Sequence, residues 1–444
     1  MHPHLETVYR ELSVKYQYQT EYLQTVLEFF ESINELLDSH KEIVESNIIR
    51  RIVEPDRIIS FKVIWEDDLG VNQVNVGYRV QFNQALGPYK GGLRFNPKVN
   101  ESIFKFLAFE QTFKNSLTGI PMGGAKGGSD FDPKGKSDQE LLRFCRAFMI
   151  ELYKYLGPDM DVPAGDIGVS AKAIGYMYGM YKRMTTRHNG SFTGKGLSYG
   201  GSLIRPEATG YGLIYMAEAA LDKFYSKSIS GLKIVVSGSG NVGTHACVKA
   251  YQLGAIIVGV SSLDGTLSDP NGLDVPYLES LRPKGLSIKA YLDTYPNTTY
   301  NPSPKALWKI PCDIALPCAT ENEIDLEDVK ALVKNGLIAL LEGANMPTSI
   351  DATKYLIDRK ILFVPGKAAN AGGVSVSGLE MQQNALHTVW DSHSVDQKLK
   401  IIMHNIFNQI YDKAVLYHNP YDLVKGANIT SFLRVYQAMI EQGL

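Results

Sequence analysis

The stretch from Leu232 to Ser261 constrains this chain most. Leu232-Lys233-Ile234-Val235-Val236-Ser237 is a short β-rich run, and Gly238-Ser239-Gly240-Asn241-Val242-Gly243 follows it at once. A helical pattern then passes through His245, Val248 and Tyr251 to Gly254, and Ala255 to Ser261 is a second apolar strand. A bare G-x-G-x-x-G is a weak signal, but in a strand-turn-helix-strand setting it is the dinucleotide-binding fingerprint. Its glycines allow a tight turn and let a pyrophosphate approach the helix N-terminus. The pattern predicts an α/β fold with a Rossmann-like sheet and a nicotinamide or flavin dinucleotide, contacted by Gly238, Gly240, Asn241, Val242 and Gly243. Strands read at Cys312–Pro317, Leu337–Leu341 and Ile361–Val364 extend the same sheet. Ligands collect at the carboxyl ends of such strands, so Glu342 to Asn345 and Lys367 to Gly373, with Asn370 among them, are expected to face the cofactor.

At 444 residues the chain exceeds what one core serves, which predicts two domains separated by a cleft. Residues 189–210 are dense in Gly and Ser without any period and mark the crossing between them. The N-terminal part opens with a helix over residues 20 to 38, where Leu23, Val26, Leu27, Phe30, Ile33 and Leu37 form one apolar face. Alternation at Ile59, Phe61, Val63 and Trp65, then at Val74, Val76, Tyr78, Val80 and Phe82, predicts a hairpin of two long strands. Two lysines set among glycines follow, Lys90 in Gly87-Pro88-Tyr89-Lys90-Gly91-Gly92 and Lys126 in Pro121 to Gly128, both read as cationic loops. Between them a helix near Ser102 to Leu117 carries Gln111 and Lys114 on one face. Taken alone, Lys126 reads equally as a solvated lysine on a mobile turn, and Lys114 as a solvated helix lysine. A capping box at Ser137-Asp138-Gln139-Glu140 opens the next helix. Asp166 follows, flanked by Gly165 and by Ile167-Gly168; Ser170 suits the cap of the following helix better, which leaves Asp166 for chemistry.

Charge and composition exclude several classes. A net charge of −2 gives no electrostatic case for nucleic acid or an anionic membrane as partner, and no apolar run approaches the roughly 20 residues of a membrane span. The N-terminus has no basic-then-apolar signal pattern, so the expected location is cytoplasmic. Four scattered cysteines form no C-x-x-C pair and nine histidines no cluster, so no metal site is expected.

Taken together, Lys90 with Gly91-Gly92-Leu93-Arg94, Pro121 to Gly128, Pro163 to Gly168, Arg205 to Gly210, Gly238 to Gly243 and Gly372 to Glu380 resemble the hexameric glutamate dehydrogenase family in its compact microbial form. The resemblance spans nearly the whole chain. It implies a substrate and oligomerisation domain over 1–201, rejoined by 421–444, and a Rossmann-like coenzyme domain over 202–420. It also implies a homohexamer serving amino-acid metabolism and nitrogen assimilation. The reaction implied is the reversible oxidative deamination of L-glutamate to 2-oxoglutarate and ammonium, with hydride passing to the nicotinamide. Lys126 then resembles the catalytic lysine, of lowered pKa, and Asp166 the acid-base group at the substrate nitrogen. Lys114 and Gln111 would hold the α-carboxylate, and Lys90 and Ser377 the γ-carboxylate. Thr209 and Asn241 would contact the nicotinamide.

For the coenzyme, an acid about 20 positions past the fingerprint would bond a free ribose 2′-hydroxyl. Here the second strand ends in Ser261-Ser262-Leu263 with Asp264 one step on, and two hydroxyls without a carboxylate suit a 2′-phosphate. NADP is therefore expected, with Ser262 as a contact and Lys134 or Lys136 approaching from the facing domain; NAD is the alternative. Other readings are a leucine, valine or phenylalanine dehydrogenase of the same fold, a dinucleotide sensor without turnover, and a lysine Schiff-base enzyme.

Overall fold

The computed structural model describes all residues from Met1 to Leu444 and divides into two compact units. The first comprises Met1–Arg205, Val376–Val395 and Asn428–Leu444; the second comprises Pro206–Ser375 and Asp396–Ala427. The reading from sequence put the boundaries at 201/202 and 420/421 and left Ser377 in the coenzyme domain. In the structure Ser377 lies in the first unit. The helix Gly372–Ala385 explains this: Gly372 packs on Ala208 and Gly212, whereas Glu380, Gln383 and Asn384 are hydrogen-bonded to residues 194–202.

The first unit is built on a five-stranded sheet of order β1-β2-β4-β3-β5. Its strands are β1 (Arg57–Glu66), β2 (Asn72–Asn83), β3 (Tyr89–Phe95), β4 (Gly124–Ser129) and β5 (Asp161–Gly165). The expected hairpin is β1 and β2, closed by the Asp67 carboxylate, which accepts the amides of Leu69 and Val71. β4 runs antiparallel to β2, while β3 is parallel to both β4 and β5. Lys90 and Lys126 therefore stand on buried interior strands and not in loops, which corrects the reading from sequence. Their glycines are strand glycines, required by close approach. A Cβ on Gly124 would fall 2.0 Å from Thr112 of the helix Glu101–Leu117, and one on Gly91 would fall 1.6 Å from the carbonyl oxygen of Ala125.

Two apolar clusters grip this sheet. Phe95, Phe131, Phe144 and Phe148 pack with the helices Asp138–Leu152 and Ala171–Thr185, and Ser137 and Ser170 cap those helices as expected. Phe82 packs with Tyr22 and Phe109, and Phe29 with Phe109 and Phe113, joining the helices Thr20–Ser39 and Glu101–Leu117. Lys105 of the latter helix is wholly buried; its Nζ has no hydrogen-bond partner and lies over the rings of Tyr16 and Tyr22.

Burial pushes the Lys105 ammonium down to about 7, against which the Glu54 carboxylate acts only in part. In the unfolded chain this lysine titrates near 10.4, so the unfolded state binds more protons between the two values and stability rises with pH across that window. Lys105→Met should stabilise the protein by about 2 kcal/mol at pH 6, the loss of the ring contacts offsetting part of the gain. The advantage should shrink steadily as pH rises from 7 to 10. Thermal midpoints at fixed protein concentration check this; an equal loss of stability at pH 6 and pH 9 would show that the ring contacts outweigh the burial.

The second unit carries a seven-stranded sheet of order β12-β11-β10-β6-β7-β8-β9. Its parallel part is β6 (Lys233–Ser237), β7 (Ile256–Ser262), β10 (Ile314–Leu316), β11 (Ala339–Leu341) and β12 (Leu362–Val364). β8 (Gly265–Ser268) and β9 (Thr299–Asn301) add antiparallel edge strands that the sequence pattern did not predict. β7 lies on one side of β6 and β10 on the other, which makes the carboxyl end of β6 a topological switch point.

Candidate active site

The parallel setting of β3 between β4 and β5 brings the central pair together. Lys126 of β4 and Asp166, the residue after β5, meet at 3.0 Å between Nζ and Oδ2. Arg94 of β3 donates from Nε to the same oxygen at 3.0 Å. The strand between the two partners presents Gly92 at the crossing point, where a Cβ would lie 2.8 Å from the Asp166 Cβ and 3.4 Å from the Lys126 Nζ. Glycine there leaves the gap that the lysine spans. Burial would raise the Asp166 carboxyl, but Lys126 and Arg94 outweigh it and hold the group below its ordinary value. A carboxylate ionised at neutral pH, partly exposed and in contact with an ammonium, can pass protons to and from a bound molecule.

Lys90 sits on β3, next to Val162 of β5, with its side chain 1% exposed. Its ammonium makes no hydrogen bond and no salt bridge. Two carboxylates lie within electrostatic reach, Asp161 and Glu380, and both are taken. Asp161 is held by both ends of the Arg79 guanidinium and by the Gln81 amide at 2.8 Å, and Glu380 is held by Lys195 at 2.6 Å. Arg205 is nearby and donates from Nε to the Ser377 hydroxyl at 3.0 Å. Burial, joined by the like charges of Arg205 and Arg79, pushes the Lys90 ammonium well below its ordinary range. The region thus has two cations, Lys90 and Arg205, without counter-charge.

Gln111 and Lys114 lie one turn apart on the helix Glu101–Leu117, and the Gln111 Cγ would be 3.3 Å from a Cβ on Gly91 of β3. Asn115, which the sequence reading passed over, anchors that helix: it accepts from the Gln111 amide at 2.6 Å and donates to the carbonyls of Lys90 and Gly123. Arg94, Arg205, Lys195 and Glu380 were likewise assigned no role. Their only signal in the sequence was a place inside or beside the glycine-rich motifs.

In the second unit the fingerprint has the geometry it promised. Gly238 has φ +80°, and a Cβ on Gly243 would fall 1.8 Å from the Gly238 carbonyl oxygen. Gly240 is the N-cap of the helix Asn241–Gln252 and supplies no side-chain cap, and a Cβ on it would meet nothing within 4 Å. That end suits a pyrophosphate. Gly210 lets the helix Ala208–Tyr225 press on the helix Asn241–Gln252, since a Cβ there would lie 2.6 Å from the Val242 carbonyl oxygen. Thr209 precedes Gly210 in the first turn of its helix, and the Asn241 amide bonds the Pro206 carbonyl. Past β11 and β12, Asn370 donates to Asn345 at 2.9 Å and to the Ala344 carbonyl at 3.1 Å. Ser262 ends β7, and its hydroxyl accepts the Asp264 amide at 3.2 Å in the tight turn to β8. A cavity of about 270 Å³ adjoins the glycine turn, walled by Ser239, Val260, Leu278, Leu281, Arg282 and Leu286.

Comparison with known proteins accounts for both halves. The Glutamate/Leucine/Phenylalanine/Valine dehydrogenase profile matches residues 200–443, and the dimerisation-domain profile of the Glu/Leu/Phe/Val dehydrogenases matches residues 55–183. The chain belongs to this dehydrogenase family. It is 50% identical over 444 residues to an NAD-specific glutamate dehydrogenase of Bacteroides fragilis, covering 99% of each chain. It is 48% identical to an NADP-specific glutamate dehydrogenase of Salmonella typhimurium, covering 99% of this chain and 98% of that one. The crystal structure of Plasmodium falciparum glutamate dehydrogenase superposes with a TM-score of 0.96 at 48% identity, over 99% of this chain and 95% of that one.

Within this dehydrogenase fold, Glu342, directly after β11, ties the loop after β11 to the start of the loop after β12. Its carboxylate accepts the amides of Gly366 at 2.7 Å and Thr348 at 3.2 Å. Burial pushes its carboxyl up to about 7. Lys136, expected near the coenzyme, is 3.9 Å from Glu140 and lies 5.5 Å from the Trp65 ring centroid. The four cysteines are free and buried, no helix is long and apolar enough to cross a membrane, and no cluster of three or more metal-ligating acids, histidines or cysteines occurs.

Proposed function

We propose that this dehydrogenase acts on L-glutamate, with 2-oxoglutarate and ammonium as the products of oxidation. The observation that carries the choice of substrate is the buried, unpaired Lys90 beside Arg205, next to two carboxylates that are already engaged. A leucine-type substrate would leave those cations without a partner, at several kcal/mol. A side-chain carboxylate supplies the missing charge and favours the protonated lysine. Ser377, oriented by Arg205, would add a hydrogen bond to the same carboxylate, and Lys114 and Gln111 would hold the α-carboxylate.

In the reaction, a nicotinamide coenzyme, when bound, would supply or accept the hydride at the substrate α-carbon. Lys126 polarises the 2-oxo oxygen and orients the water that adds to the imine carbon in the oxidative direction. Asp166 takes a proton from the substrate nitrogen and returns it in the reverse direction. Gly238, Gly240, Asn241, Val242 and Gly243 would hold the pyrophosphate and ribose, and Thr209, Asn241, Asn345 and Asn370 the nicotinamide end. The first unit would also assemble the subunits, six in the expected homohexamer, and the expected compartment is the cytoplasm.

The coenzyme favoured is NADP. Arg282 is the one charged residue lining the cavity beside the glycine turn, no carboxylate joins it, and the Asp264 carboxylate beyond Ser262 is engaged by the Ser287 hydroxyl at 2.5 Å. Rates of oxidation of NADPH and NADH, measured in parallel with 2-oxoglutarate and ammonium, test both statements. Preference for NADH would leave the substrate assignment standing and overturn the coenzyme choice.

Lys90→Leu tests the pocket. It should lower kcat/KM for glutamate by about 10²-fold or more while sparing L-norvaline, which has the same carbon chain without the second carboxylate. An unchanged Michaelis constant for glutamate would remove Lys90 from the site.

A further inference from the structure

Beside Lys90 lies a charged assembly that catalysis as described leaves without a task; the inference about it rests on the reading of the Lys90 pocket given above. The Glu380 and Lys195 side chains are 0% and 1% exposed and meet at 2.6 Å. Glu380 also accepts the amides of Gly194 at 2.9 Å and Lys195 at 3.4 Å, while the Lys195 ammonium donates to the Phe192 carbonyl at 2.5 Å. Glu380 stands one helical turn beyond Ser377, on the same face. It is within electrostatic reach of both Lys90 and Arg205, yet pairs with neither.

A buried ion pair seldom stabilises a protein more than apolar side chains of equal volume would. This one has a different consequence. Were Lys195 absent, the nearest uncompensated cations for the Glu380 carboxylate would be Lys90 and Arg205, and the pocket would be neutralised from within. We propose that Lys195 is a positioning residue that holds Glu380 away from Lys90 and Arg205, keeping both cations available to the side-chain carboxylate of the substrate. Asp161, the other acid in reach, is held back in the same manner by Arg79 and Gln81.

The test is steady-state kinetics on the full-length enzyme with L-glutamate and L-norvaline. Lys195→Met should raise the Michaelis constant for glutamate about tenfold or more, with kcat and the norvaline constants little changed. Adding Glu380→Gln to that variant removes the competing carboxylate and keeps an acceptor for the Gly194 amide. It should restore the glutamate constant to within about threefold of the unmodified enzyme. A purely structural pair predicts the opposite, a double variant no better than the single one, and that result overturns the proposal. So does an unchanged Michaelis constant in Lys195→Met. If Lys195→Met does not fold, Glu380→Gln alone decides: it leaves an extra cation beside the pocket, so the glutamate constant should stay level or fall, and a rise counts against the proposal. If the unmodified enzyme does not prefer glutamate to norvaline, the reading of the Lys90 pocket is what fails. A preference for glutamate without the Lys195 effect sinks this inference alone.

Discussion

Lys126→Met is expected to lower kcat by about 10³-fold in both directions, the scale at which positioned acid-base and electrostatic groups act. Methionine is one atom shorter than lysine, unbranched like it, and lacks its charge and donors, so β4 should keep its pairing with β2 and β3. Coenzyme affinity should be unaltered, because the glycine turn belongs to the second unit. The decisive measurements are kcat with 2-oxoglutarate and ammonium, and NADPH binding followed by fluorescence. A variant within tenfold of the unmodified enzyme would show that Lys126 is an anchor for Asp166 and not a participant in the chemistry.

Asp166→Asn should cost a similar factor, about 10³-fold, by another route. The amide keeps the shape and one acceptor for Arg94 or Lys126, but it cannot accept a proton from the substrate nitrogen. The loss should therefore appear in kcat, with the Michaelis constant for glutamate changed much less, since Lys90, Arg205 and Ser377 are untouched. The two cations facing position 166 also lose their counter-charge, so some loss of thermal stability is expected as well. Activity above about a tenth of the original would assign the proton transfer to water or to another group.

The sequence was informative where chemistry demands an unusual residue and silent where geometry alone decides. The fingerprint was legible because glycines at 238, 240 and 243 follow a strand and open a helix, and the structure needs positions 238 and 243 to be bare. Lys126 and Asp166 could be singled out, but their backbone context was misread. Glycine around Lys90 and Lys126 has the composition of a turn; only the approach of the helix Glu101–Leu117 at 2.0 Å from a would-be Cβ on Gly124 reveals a strand. No sequence period signals that pressure. Arg94 and Asn115 were invisible for a different reason. An arginine on a strand and an asparagine on a helix are ordinary until parallel pairing sets one against Asp166 and the other against the Lys90 carbonyl. The assignment of Ser377 to the wrong unit follows from a helix that continues unbroken where the packing partners change.

The setting of Lys126 within β4 and of Asp166 directly after β5, on either side of one central strand, bears on how the enzyme would lose activity on heating. Residues on loops can drift out of register through local openings that cost little, long before a protein melts. Here β3 is paired with both β4 and β5, β4 is paired also with β2, and the strands are buried over most of their length. Separating the pair requires breaking those ladders. The amides of β3 and β4 should exchange with solvent only through global unfolding, and thermal inactivation should coincide with the calorimetric transition. The chemistry of this enzyme would then be as durable as its fold.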